Sequence, residues 1–214
     1  METLQLTAGL IEYGDTGGDG PVLVLLHGVN MDGTVWTPVL ERLPSNYRCI
    51  TPTLPLDSHR RAMERPDLVT HRGVAAMVGE LMEALDLHDV TLVLNDWGRA
   101  QFLLADGPND RIAAAVLVAC EAFDNFPQGR PGKMIANSAR VPLLMWLATQ
   151  MQRFRWFRRA PGGWGWMIKR PVPGELVEVD DSYTVMPMDR PDKLAAQLTR
   201  FVDRTTPTSN CTDL

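Results

Sequence analysis

Asp96 stands in Leu94-Asn95-Asp96-Trp97-Gly98, where a run of β-forming residues meets a helix-compatible one. A carboxylate at the tip of a strand that turns sharply into a helix is presented to a cleft. The helix behind it supplies backbone N–H groups that favour negative charge. Gly98 gives such a corner room. The chemistry open to this carboxylate is nucleophilic attack on an electrophilic carbon, leaving an ester on Asp96. The same residue also suits the N-cap of a helix beginning around Trp97. Two further groups stand at comparable places: His27-Gly28 ends the apolar run Val22–Leu26, and Glu121 follows the apolar run 112–119. Glu121 reads either as an acid partner of the site or as an ordinary carboxylate at the start of a loop or helix.

The elements that would position these residues are legible from hydrophobic periodicity. Residues 3–7 and 10–13 alternate and are separated by Ala8-Gly9, which predicts a hairpin. Val22–Leu26, residues 48–51 and residues 90–94 are almost continuously apolar, as in strands buried on both faces. Pro52 and Pro55 are expected to end the second of these. Short helices are expected over residues 35–43 and 99–105. A longer one is expected after Thr70, its N-cap, with Val74, Met77, Val78, Leu81 and Leu85 on one face. Strands alternating with helices predict an α/β fold with a mostly parallel sheet covered on both faces. Ligands in such sheets bind beyond the carboxyl ends of the strands. That rule brings His27, Asp96 and Glu121 to one edge.

Beyond Glu121 the pattern changes. Residues 123–132 read as a Pro- and Gly-bearing loop and residues 141–157 as a helix. Residues 162–174 are irregular and rich in Trp, Gly and Pro. The segment from Gln152 to Arg159 interleaves Arg with Trp and Phe. This suits a membrane surface or nucleic acid in principle, and a cap helix over the cleft better, since the chain is acidic overall. Residues 191–204 form a helix by pattern, with Leu194, Leu198 and Phe201 on one side, and residues 205–214 read as a loose tail. The expected division is 1–122 core, 123–190 helical cap region, 191–204 helix returning toward the core, and 205–214 tail.

Composition narrows the function classes. The net charge of −5 gives no general pull toward nucleic acid. Cys49, Cys120 and Cys211 have neither disulfide-framework nor zinc spacing, which fits a cytoplasmic protein. The start lacks the basic and apolar regions of a signal peptide, and no apolar run reaches the roughly 18 residues of a membrane span. Six Trp and eleven Met favour an apolar pocket over a sugar or phosphate site. No Walker loop, metal-ligand cluster or dinucleotide fingerprint occurs, so no cofactor and no metal are expected. The expected partner is a small apolar molecule, with no nucleic acid and no stable membrane insertion.

Leu26-His27-Gly28, Asp96-Trp97-Gly98 and Glu121 together resemble the α/β-hydrolase superfamily, specifically its Asp-nucleophile branch typified by haloalkane dehalogenases. The resemblance extends over roughly residues 10–125. It implies an α/β-hydrolase fold with a helical cap, Asp96 as nucleophile and Glu121 as the acid that orients a catalytic histidine. It also implies oxyanion donors in the backbone N–H groups of Val29 and Trp97, and a halide donor in the Trp97 indole. His27 corresponds to the motif histidine that shapes the oxyanion loop, not to the base. Two departures stand out. Val29 occupies the place where dehalogenases carry a halide-binding Asn, with Asn30 one residue later, and Arg99 follows the elbow where a small residue is usual.

The family's base histidine, carried on a loop after the last strand, has no counterpart here. His59, His71 and His88 read as solvent-facing. The expectation is therefore a C-terminally truncated hydrolase lacking the final strands, its open sheet edge covered by a second copy or a partner chain. Without a base, hydrolysis of an Asp96 ester is expected to be slowed by about 10²–10⁴-fold. The implied function is hydrolysis of small apolar substrates, with two alternatives: a binding or interaction protein without turnover, and an epoxide hydrolase-like enzyme. The last is disfavoured because only Tyr183 follows the elbow as a cap tyrosine.

Overall fold

The computed structural model describes residues 1–56, 58–96, 101–105, 109–119, 177, 179 and 185–205. The expected hairpin is β1 (Glu2–Leu6) paired antiparallel with β2 (Gly9–Asp15). β3 (Val22–Leu26), β4 (Arg48–Thr53), β5 (Val90–Asn95) and β6 (Ile112–Val118) complete a sheet in the order β1-β2-β4-β3-β5-β6. The sheet is mixed. β4, β3, β5 and β6 run parallel, while β2 joins β4 antiparallel. β4 runs on through Pro52, contrary to the expectation that the proline ends it. The β3 ladder stops at Ile50, so Pro52 has only β2 beside it, where it stands opposite Tyr13. A missing N–H is tolerated where one neighbour is absent.

Two cores form because alternate residues of each buried strand face opposite sides. On one face Val24, Leu26, Ile50, Leu92 and Leu94 meet Val74, Met77, Val78, Leu81 and Met82 of the helix His71–Ala84 (α2). Thr70 caps that helix by accepting a hydrogen bond from the Gly73 N–H at 3.0 Å. On the other face Leu23, Leu25, Cys49, Val93 and Val118 meet Trp36 and Val39, and also Leu194, Ala195, Leu198 and Val202. The expected helix over residues 35–43 is a 3-10 turn, Gly33–Trp36, running into a single α turn, Thr37–Leu40 (α1). α3 is Gln101–Ala105.

After β6 the described chain resumes in a short helix, Met186–Asp189 (α4), and the helix Pro191–Thr205 (α5). α5 folds back on the face that carries α1. Its buried stripe is Leu194, Ala195, Leu198 and Val202, with Phe201 only half-buried. The pattern thus turns about 100° per residue past Leu198 to Val202 rather than to Phe201. Tyr47 ties the helix to the start of β4, its hydroxyl donating to Asp203 at 2.9 Å, and Arg42 pairs with Asp192. The predicted helix over 141–157, the Trp-rich stretch and the tail beyond 205 lie outside the described residues. Among the described residues, no helix is long and apolar enough to cross a membrane.

Candidate active site

β3 and β5 are adjacent and parallel, with Leu26 level with Leu94. Their exits therefore deliver His27-Gly28 and Asn95-Asp96 side by side at the carboxyl edge. Asp96 has a φ of 55° and its N–H donates to the carbonyl of Val118 at 3.0 Å. The chain thus turns into the left-handed region at the tip of β5, a conformation that Asp tolerates better than most residues. β6 makes the same move one strand over, where Ala119 has a φ of 51°.

The Asp96 carboxylate is packed against Gly28. A Cβ built on Gly28 would stand 2.5 Å from Asp96 Oδ2 and 2.6 Å from Asp96 Cβ. Gly28 is needed here for close approach, not for a special φ. The result is a carboxylate that is nearly buried yet seated directly on the loop leaving β3.

That loop is fixed by His27. The imidazole is fully buried, its Nε2 accepting from the Leu54 N–H at 2.8 Å and its Nδ1 lying 2.8 Å from the Gly28 carbonyl. A backbone N–H at Nε2 assigns the ring proton to Nδ1, which donates to Gly28. Burial pushes the His27 pKa below its ordinary value, against the opposing pull of the Gly28 carbonyl and Asp32. His27 is thus a neutral staple between the β3 and β4 exits, with both ring nitrogens engaged.

A second staple joins the same loops, where the Asn30 N–H donates to the Leu56 carbonyl at 2.9 Å. Asn30 has a φ of 59° and an exposed side chain. Its backbone donor is occupied, and its side chain makes no hydrogen bond among the described residues. Val29 is half-buried between the staples, and among the described residues its N–H has no hydrogen-bond partner. Asp32 then caps the 3-10 turn. Its carboxyl is held below the usual range, first by the Thr34 hydroxyl, against the opposing effect of burial, with the Thr34 N–H and Arg60 adding to the lowering.

Asn95 is fully buried, with its Nδ2 3.9 Å from Met31 Sδ and its Oδ1 without a partner. The structure therefore brings together Asp96, His27, Gly28, Val29 and Asn30 from the expected set. Trp97, Gly98, Arg99 and Glu121 lie outside the described residues. Sequence reasoning missed the part played by Leu54 and Leu56. Both act through backbone atoms, which no side-chain pattern reveals. Among the described residues, no group of three or more His, Cys, Asp or Glu could hold a metal.

Comparison with known proteins gives this geometry a context. The model of a family described as "Alpha/beta hydrolase family" matches residues 23–208. A haloalkane dehalogenase from Mesorhizobium japonicum is 26% identical over 139 residues, which cover 62% of this chain and 44% of that protein. The chain spans less than half the length of the curated relatives it matches. Among solved structures, a thermophilic esterase from Thermogutta terrifontis superposes with a TM-score of 0.67 at 18% identity, over 96% of this chain and 99% of that one. The epoxide hydrolase CorEH gives a TM-score of 0.53 at 20% identity, over 72% of this chain and 55% of that one.

Proposed function

We propose that the chain, as a member of the alpha/beta hydrolase family, carries its chemistry at the carboxyl edge of the sheet and attacks small apolar electrophiles through Asp96. The supporting observation is the seat of that carboxylate, at the tip of β5, in the left-handed region and against Gly28. In this reading Asp96 displaces a leaving group from an electrophilic carbon, or opens an epoxide, and becomes an alkyl ester. The Val29 N–H, which has no partner among the described residues, and the Trp97 N–H stabilise negative charge on the reacting carboxyl group. Glu121 is the remaining acid of the proposed site.

Val29 cannot donate a side-chain hydrogen bond, and Asn30 is exposed with its N–H engaged. Of the two donors of a dehalogenase-type halide clamp, the Trp97 indole therefore has a counterpart in the sequence and the Asn after His-Gly does not. The distant relatives divide between a dehalogenase, an esterase and an epoxide hydrolase, so the leaving group is best settled directly. Purified chain incubated with bromoalkanes and with epoxides is expected to release bromide or to open the ring, and Asp96→Ala to do neither. Equal product formation by Asp96→Ala would remove Asp96 from the mechanism. A second reading, a binding protein without turnover, draws on His27, whose two engaged nitrogens leave it unable to act as the base.

A further inference from the structure

We infer that Asn95 is a positioning residue that holds the loop leaving β3 in register with the nucleophile, an inference that rests on the reading of Asp96 as nucleophile and of the Val29 N–H as its oxyanion donor. Asn95 is the last residue of β5, one position before Asp96, and pairs with Val118 of β6. Alternation along β5 puts it on the side of Val93, whose apolar cluster also holds Leu25, Trp36 and Val118. A carboxamide fully buried in such a layer is costly unless its hydrogen bonds are made there. Among the described residues its side chain has one polar contact. Nδ2 lies 3.9 Å from Met31 Sδ, while Oδ1 has no partner. Leucine has nearly the same shape and suits that layer better. The amide is therefore explained by what it does to Met31.

Met31 belongs to the loop that carries Gly28 and Val29. Two hydrogen bonds tie this loop to the β4 exit, from the Leu54 N–H to His27 Nε2 and from the Asn30 N–H to the Leu56 carbonyl. Asn95 ties it to β5, the strand of the nucleophile. Val29 stands two residues before Met31, and Gly28 beside it packs against the Asp96 carboxylate. Donor and nucleophile thus come from different strands, and the contact of Asn95 with Met31 joins the two within a residue or two of each. A thioether is a weak acceptor on a flexible side chain. The contact therefore supplies direction more than stability. With leucine at position 95, Met31 repacks and the Val29 N–H is no longer fixed relative to Asp96.

The test reads loop order, ester formation and stability separately in wild type, Asn95→Leu, Met31→Leu and the double variant. Amide hydrogen exchange at Asn30 reports the loop. Intact mass recorded through time, over a range of bromobutane and epoxybutane concentrations, gives the maximal loading rate of Asp96 and the half-saturating concentration. Denaturant titration gives stability. Both single variants are expected to exchange the Asn30 amide faster and to load about 10-fold more slowly at saturation, since an oxyanion donor is loosened rather than removed. Half-saturation is expected to stay unchanged, and the denaturant midpoint of Asn95→Leu to stand at or above that of wild type. Because the two residues act through one contact, the double variant is expected to be no slower than the slower single one. Multiplied losses in the double variant, or a change confined to half-saturation, would overturn the inference. So would a rate that falls only together with the midpoint, which marks a structural role. If Asn95→Leu does not fold, Met31→Leu decides by the same exchange and loading measurements. Normal loading in wild type and variants alike would remove the role of Asn95 while leaving Asp96 as nucleophile. Absence of any label on Asp96 in wild type would remove the nucleophile, and this role with it.

Discussion

The carboxylate of Asp96 lies so close over Gly28 that a single added methyl would come within 2.5 Å of Oδ2. The two residues are 68 positions apart in the chain, yet the parallel pairing of β3 with β5 makes them neighbours. The site is therefore built from the exits of two adjacent strands, and its geometry is sensitive to the smaller partner.

Gly28→Ala tests that seat. The methyl must push Asp96 or the loop aside, an overpacking that costs about 1–3 kcal/mol. Displacing a nucleophile by roughly 1 Å costs about 10²-fold in rate. The variant is expected to unfold at slightly lower denaturant and to load electrophiles at about that disadvantage. Loading at the wild-type rate would mean that the contact with Gly28 does not set the attack geometry.

His27 predicts a pH effect with a definite sign. Its folded pKa is depressed by burial, while the unfolded chain titrates near the ordinary value of about 6.5. Below that value the unfolded state binds a proton that the folded state resists. The His27 contribution to stability is thus complete above about pH 6.5 and is lost as pH falls toward the folded pKa, by up to about 1.4 kcal/mol per pH unit. Denaturant titrations between neutral and acidic pH are expected to show this slope, and His27→Gln to flatten it. An equal slope in the variant would assign the effect to other groups.

The docking of α5 is testable through its buried stripe. Leu198→Ala removes a fully enclosed side chain beside Leu194 and Val202, and is expected to cost about 2–5 kcal/mol. Tyr47→Phe removes only the hydrogen bond to Asp203, with an expected cost of about 1 kcal/mol. Burial and Asp203 together push the Tyr47 hydroxyl up to about 12. Its contribution is complete below the unfolded value of about 10 and is lost as pH rises through the folded value. Global stability unchanged in Leu198→Ala would mean that α5 is not part of the cooperative core.

Asn30 separates a structural role from a halide-binding one. At a φ of 59° with an exposed side chain, Asn30→Gly keeps the backbone conformation and the N–H to Leu56. The variant is expected to load bromoalkanes at the wild-type rate, with bromide inhibition unchanged. A loss of bromide sensitivity would restore Asn30 as a halide donor.

Much of this arrangement is readable from residue types. Val22–Leu26 and the apolar run ending at Asn95 identify buried parallel strands, and placing Gly28 and Asp96 at their exits follows from sheet topology. Thr70 is recognisable as a cap for the same reason, since its hydroxyl has one obvious use. The β4 exit is not readable. Leu54 and Leu56 hold the site with a backbone N–H and a backbone carbonyl, and Pro52 suggests a strand end where the strand continues. Phe201 shares a side of α5 with Leu194 and Leu198, but Val202 and not Phe201 is fully enclosed, a choice between neighbouring apolar residues that residue type alone does not make.

The central claim is that Asp96 forms a covalent ester with a small electrophile, and intact-protein mass spectrometry after exposure to bromoalkane and epoxide probes tests it most directly, with acid quenching to hold the ester. The account predicts one added alkyl group per chain, mapped by fragmentation to the peptide containing Asp96 and absent in Asp96→Ala. A label on another residue, or turnover in the Asp96→Ala chain without any label at position 96, would contradict it.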